Sequence, residues 1–402
     1  MTATPATPAP TRKAVKPQAK AARPAVAFDA EAWGRREAEA EKAGATRLPA
    51  ETVADIRSSG LLAAPVPREL GGEGWDLRQC MQALRKIAAH APATALALAM
   101  PLGNAGAARV PDEAVPAAQR KAVEAGRRWT VEQCLAGRIL AVANSEPGSG
   151  GDLANTKATA RLDKDGAWRL TGFKAFATGG PDGDFFLCAA RTPQRVEGFF
   201  VARDAPGAKL NDDWNGLGMR TSASVTLKLD DAPAAAILGY PGSLDGGVNA
   251  RHWSTLLFGS VFVGVGEGAL TEAAQAVAHQ PVLRGQLAER ALALEAAWGY
   301  LDSVAGRDAF PFPKAELVRA QRAKSFAADA AVQAAVFGSM AAGGRGYSAG
   351  SRASKFLRDA LAGPHLRPPL PQVLEGLAQE WEGKAPKPKV TVKPTGVPER
   401  SA

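Results

Sequence analysis

The residues whose types could do chemistry gather between Val142 and Gly180, where the chain reads VANSEPGSGGDLANTKATARLDKDGAWRLTGFKAFATGG. Ser145 stands directly before Glu146-Pro147, and Thr178 follows Phe176 just ahead of two glycines. Adjacent turns could thus present two hydroxyls, the backbone N–H groups beside them and one aromatic face, the set that a flat conjugated ligand needs. The same residue types also cap ordinary hairpin turns, with Phe176 as core, and the stretch by itself leaves both readings open.

Other candidates are weaker. Gly343-Gly344-Arg345-Gly346 lets a backbone approach a ligand closely, or simply ends a helix. Gly264-Val265-Gly266-Glu267-Gly268 imitates a dinucleotide fingerprint, but the pattern is helical on both sides and no strand precedes it, so tight helix packing is expected. His90, His252 and His279 are scattered along helices without metal-ligand spacing. Cys80, Cys134 and Cys188 are odd in number and far apart, with no CxxC, which argues against a disulfide framework or a zinc site and fits a reducing, cytoplasmic setting.

Three blocks of sequence must position these residues. From Phe28 to about Leu140 apolar residues recur at three- and four-residue spacing, with Gly44 and Gly60 at helix ends and Pro92 as a break. From Ile139 to about Gly239 short runs (WRLTGFKAF, FFLCAAR, VEGFFVAR, SVTLKLDDA) alternate with Gly, Asp and Pro, as strands of an antiparallel sheet or barrel do. Residues 162–166, LDKDG, read as a hairpin turn. After Gly246 long alanine-rich helical runs return, as a packed bundle requires.

The formal charge of +9 over 402 residues belongs to the ends. Residues 1–26 carry five cations and no acid, residues 383–402 a net +4, and the body between them is formally neutral. No specific nucleic-acid face is therefore expected on the body, and the Pro/Ala/Lys-rich tails read as disordered, basic extensions. The first tail lacks the apolar core of a signal peptide. The most apolar window, Leu256 to Leu270, is short for a membrane span and contains Glu267, so none is expected.

Five short motifs in order carry a resemblance: PRELGGEG (67–74), SEPGSGGD (145–152), LTGFKAFATGG (170–180), WNGLGMRT (214–221), and GGRGY with LRDA (343–347, 357–360). Through them the folded part resembles the acyl-CoA dehydrogenase superfamily of flavoproteins. The resemblance implies an α+β fold: a helical domain over 28–139, a middle β-barrel or sandwich domain over 140–242, a C-terminal four-helix bundle over 243–382, and tails at 1–27 and 383–402. It implies FAD, with FMN as the other flavin, lined by Asn144, Ser145, Phe176 and Thr178, with Phe176 where a tryptophan is usual. Donors here would face ring atoms that become electron-rich on reduction. Gly343 and Gly344 would meet the flavin of a neighbouring subunit in a homodimer or homotetramer, although the usual glutamine is Met340 here. Ser149 and Gly151 would touch substrate; Gly151 replaces the usual serine.

The glutamate that takes the α-proton of an acyl thioester in dehydrogenases usually follows the ArgAspAla element by a few residues. Here that segment reads LAGPHLRPP (361–369) with no acid, and the alternative location, 249–266, has none either. Residues 279–298 look more like the branch containing reduced-flavin monooxygenases. In that setting His365 is the candidate catalytic residue, as a hydrogen-bond donor at the flavin or a base toward a phenol, because histidine titrates near neutrality. Three readings follow: oxidation of an acyl thioester at Cα–Cβ, a monooxygenase for a small aromatic or heteroaromatic compound, and a catalytically silent binding or assembly subunit. The redox partner would be a flavin reductase or an electron-transfer flavoprotein.

Overall fold

The computed structural model describes residues 26–106, 109–115, 117, 120–149, 153–238, 251–307 and 312–384. Gly151 and nearly all of the two basic tails lie outside the described residues.

Local signals set the helix boundaries of the first block. Asp29 caps α1 (Ala30–Lys42) by accepting from Ala32 N at 2.9 Å, and Gly60 adopts φ 79° shortly after α2 (Ala50–Ser58). Asp76 and Gln79 form a capping box at the start of α3 (Leu77–Ala88). The break expected at Pro92 is present: α3 ends at Ala88, and Pro92 begins a new helix, α4 (Pro92–Gly106), whose first turn has no N–H partner to lose. Every residue of α4 is buried, so it runs through the core; α5 (Arg120–Leu135) closes the block.

The middle block is a strand domain of β1 (Leu140–Val142), β2 (Thr159–Leu162), β3 (Trp168–Ala177), β4 (Phe185–Arg191), β5 (Val196–Ala202), β6 (Ala208–Leu210) and β7 (Val225–Ile237). The pairings β4–β2–β3–β7–β5–β4 close a ring, which leaves few strand edges unpaired, with β1 added on β4 and β6 on β7. The hairpin foreseen at 162–166 joins β2 to β3: Asp163 Oδ1 accepts from Asp165 N and Ala167 N, and Gly166 takes φ 79°. The sheet is not wholly antiparallel as the runs suggested, because β4 pairs in parallel with both β1 and β2. Leu170, Phe186, Phe199, Leu227 and Leu229 fill the interior.

The third block packs α6 (Arg251–Val277), α7 (Arg284–Ala305), α8 (Lys314–Ala341) and α10 (Arg352–Ala360), with the single turn α9 (Gly344–Tyr347) between the last two and α11 (Leu370–Lys384) outside. α6 is longer than its apolar window suggested. It is long and apolar enough to cross a membrane, yet 78% of its most apolar stretch is buried inside the protein, so it is the bundle's core helix. Its glycines mark the crossings. A Cβ on Gly264 would lie 2.2 Å from Arg85 O, one on Gly266 2.6 Å from the Leu294 side chain, and one on Gly268 2.4 Å from the Phe356 ring. The glycine cluster at 264–268 is thus explained by helix packing.

The three blocks meet in a buried charge cluster. Lys355 of α10 pairs with Glu37 at 2.9 Å and Glu41 at 3.0 Å of α1, and with Asp359 at 2.6 Å. Glu37 also accepts from Thr94 N and Thr94 Oγ1 at the start of α4, and Met219 N of the β domain donates to Asp359. Burial works to lower the Lys355 pKa, but the three carboxylates prevail and raise it.

Candidate functional site

The turn after β1 is built around a buried ion pair. Glu146 and Lys174 of β3 are both almost fully buried, and they bond to each other. Glu146 also accepts from Lys157 N at 2.6 Å and Ala158 N at 3.2 Å, and Lys174 donates to Ala189 O. Burial alone would push the Glu146 carboxyl up, but the Lys174 ammonium and the Lys157 N–H hold it below the usual carboxylate range. Cys188 lies in the same interior, and burial pushes its thiol up to about 12, so it is not a nucleophile.

That pair fixes the position of Ser145. Ser145 O accepts from Ala175 N at 2.8 Å, which ties the turn to β3, and Asn144 Oδ1 accepts from Ala189 N at 2.7 Å, which ties it to β4. Asn144 therefore faces the sheet with at least its carbonyl oxygen and acts as a brace. Ser149 donates back to Glu146 O at 3.0 Å and is buried, so it too shapes the turn.

Across from Ser145, Phe176 has φ 55° and is 59% exposed, with its ring edge-on to Trp214 at 6.2 Å between centroids. A non-glycine residue in the left-handed region carries roughly 1–3 kcal/mol of strain and persists only where its surroundings impose it. Here the strain presents a large apolar ring to the outside instead of burying it. Thr178 follows in a chain of hydroxyls: Thr178 Oγ1 lies 3.0 Å from Ser224 Oγ, which is 2.8 Å from Ser222 Oγ.

The element that closes this site comes from the bundle. After α10 the chain makes a short turn, Gly363–His365, and Arg367 Nη2 donates to Ser145 Oγ at 2.9 Å. Ser145 Oγ thus accepts from a guanidinium, which leaves its own proton to be donated to another acceptor. His365 is exposed on that turn, two residues from the arginine that reaches Ser145. Gly343 and Gly344 are not part of the same cluster. They lie past the end of α8, about 25 Å along that helix from Lys324, the residue level with the Arg367 turn. Beside them Met340 and Tyr347 are 74% and 94% exposed.

The structure therefore brings together Ser145, Phe176 and Thr178, braced by Asn144, and adds Arg367, Trp214, Ser222 and Ser224. Arg367 had a visible signal, being the charged residue in the very segment searched for an acid. The hydroxyl chain had none, since serines and threonines are common in loops.

An exposed ring held by strain, flanked by oriented hydroxyls, fits the isoalloxazine of a flavin: an apolar face with donors at its edge. Phe176→Gly separates the two roles. Relief of the left-handed strain is expected to hold or raise the melting temperature, while loss of the ring weakens flavin affinity at least about tenfold; calorimetry and flavin fluorescence titration read the two effects.

Comparison with known proteins bears on the family and the fold. Models of the acyl-CoA dehydrogenase N-terminal, middle and C-terminal domains match residues 17–121, 141–232 and 256–366 in that order. A probable acyl-CoA dehydrogenase of Mycobacterium leprae, fadE25, is 26% identical over 333 residues, covering 78% of this chain and 82% of that protein. The amino sugar nitrososynthase RubN8 of Streptomyces rubradiris is 31% identical over 248 residues, 58% of this chain and 56% of that protein. Among solved structures, FMN-bound TdsC from Paenibacillus sp. A11-2 superposes with a TM-score of 0.75 at 23% identity, covering 89% of this chain and 96% of that one.

Proposed function

Since this chain belongs to the acyl-CoA dehydrogenase superfamily, we propose that it is a flavin-dependent oxidoreductase of the monooxygenase-like kind, acting on a small heteroaromatic or amino-sugar substrate. FAD or FMN is the flavin, delivered reduced by a separate reductase. Bound flavin supplies the two-electron chemistry; the chain's own residues bind it, orient it and set the charge around it.

The observation that carries this reading is the Arg367–Ser145 hydrogen bond. Abstraction of an α-proton from an acyl thioester needs a carboxylate free to accept it. Segment 361–369 contains no acid, and three acids of the adjoining helices α6 and α10 are paired elsewhere: Glu267 with Arg85, Glu272 with Arg352, Asp359 with Lys355. Glu146, in the turn itself, is neutralised by Lys174. A guanidinium keeps its proton and favours negative charge, so the Arg367 edge of the site suits chemistry that builds up an anion. Ser145, polarised by Arg367, donates to the ligand; Phe176 covers one face; the Thr178–Ser224–Ser222 chain holds the Thr178 oxygen in place.

The test supplies chemically reduced FMN or FAD with labelled oxygen and, in separate reactions, indole and a nucleotide-linked amino sugar. Product carrying labelled oxygen from either substrate supports the reading. In the companion experiment, oxidised flavin-loaded protein is mixed anaerobically with acyl-CoA thioesters; bleaching of the flavin by any of them overturns it in favour of dehydrogenation.

A further inference from the structure

Lys324 is a charged side chain with no exposed surface, set in the middle of α8. Helix α6 passes it so closely that a Cβ on Gly259 would lie 3.3 Å from the Lys324 Cα. Burial of an ammonium is costly unless its protons are satisfied, and buried lysines usually meet a carboxylate. No carboxylate lies within ion-pair distance of Lys324 among the described residues. Its Nζ instead donates to two backbone carbonyls, Leu366 O and Pro368 O, each at 2.7 Å.

Those two carbonyls bracket Arg367. One ammonium therefore pins the chain on both sides of the residue whose guanidinium reaches Ser145. The turn just before is seated on the same helices, since a Cβ on Gly363 would lie 2.8 Å from Ala328 Cβ and 3.1 Å from the Phe262 ring. From Leu366 to Pro368 the segment has no ladder or helix of its own, and the first turn of α11 takes up only the Pro369 carbonyl. Lys324 thus satisfies the carbonyls on both sides of Arg367 and bears on the direction in which that side chain leaves the backbone.

We infer that Lys324 is a positioning residue of the flavin site, acting through the Leu366–Pro368 backbone to aim Arg367 at Ser145. The inference rests on the proposed flavin site, and it assigns to α8 a role beyond packing. Burial lowers the Lys324 pKa to about 8, as expected for an ammonium whose partners are dipoles and not charges.

The experiment is a double-mutant cycle on flavin binding, read by fluorescence titration with FMN and FAD, with melting temperatures measured in parallel on the flavin-free proteins. Lys324→Met and Arg367→Met are each expected to weaken flavin binding about tenfold, the scale of a lost hydrogen bond to a charged group. The double variant is expected to be no weaker than the worse single one, because both substitutions remove the same contact. Should Lys324→Met fail to fold, Lys324→Gln takes its place: the amide keeps a donor but is one atom shorter, and a loss of at least about threefold is expected. Wild-type flavin affinity in a folded Lys324 variant overturns the inference, as does a double variant whose losses multiply. Failure of the unsubstituted chain to bind either flavin is a different result, and removes the proposed function itself.

Discussion

Replacing Lys355 with methionine is expected to lower the melting temperature by roughly 10 °C. The substitution leaves Glu37, Glu41 and Asp359 in the interior with Arg358 as the remaining described cation, 3.0 Å from Glu41. Removing one partner of a buried ionic cluster costs about 3–5 kcal/mol, because the stranded charges keep their desolvation penalty and lose their compensation. Asp359 already shows the direction of the problem: burial raises its pKa in spite of Lys355. The consequence reaches the site, since Met219 N hangs on Asp359 and a Cβ on Gly218 would lie 2.1 Å from Arg358 O. Trp214, which meets Phe176 edge-on, belongs to the same loop and bonds to Met219 O. A drop in flavin affinity is therefore expected with the drop in stability. Scanning calorimetry checks the first, and a melting temperature within about 2 °C of the parent would show that the cluster is not a keystone.

Replacing Glu146 with glutamine is expected to destabilise by a similar ~3–5 kcal/mol, because it strands the fully buried Lys174 ammonium. The double replacement Glu146→Leu with Lys174→Met is expected to recover much of that loss in stability, since two apolar groups have no charge to desolvate. Flavin affinity should not recover, because the bonds from Lys157 N and Ala158 N that shape the Ser145 turn end on the missing carboxylate. The pH dependence has a definite sign. The native carboxyl of Glu146 lies below its unfolded value, so its contribution is complete above the unfolded pKa of about 4 and is lost as the pH falls through the native value. Denaturant titrations of parent and Glu146→Gln between neutral and acid pH should therefore converge at the acid end. Parallel curves would mean that the pair is not coupled to folding.

Much of the fold was legible before any coordinates. Periodicity placed the helices, turn residues placed the β2–β3 hairpin, and five ordered motifs implied the family. Two features were not legible. The parallel pairing of β4 with β1 and β2 joins segments that are far apart in the chain, and no local pattern encodes it. His365 drew attention because histidine titrates usefully, while Arg367, two residues on, is the one that the structure bonds to Ser145.

The stretch from Val142 to Gly180 shows where the line falls. Its sequence alone determined a pair of turns, the hydroxyls and the ring they could present, because turn geometry depends on a few neighbouring residues. Whether Phe176 would lie in the core or stand exposed was decided by the tertiary structure, through a left-handed backbone held between β3 and the turns beside it. That Ser145 would receive a guanidinium was likewise undecided, because Arg367 is 222 positions away and arrives only when the bundle docks on the barrel. Side-chain chemistry is local and can be read along the chain; the charge that surrounds it is set by contacts between distant segments, which form only in the fold.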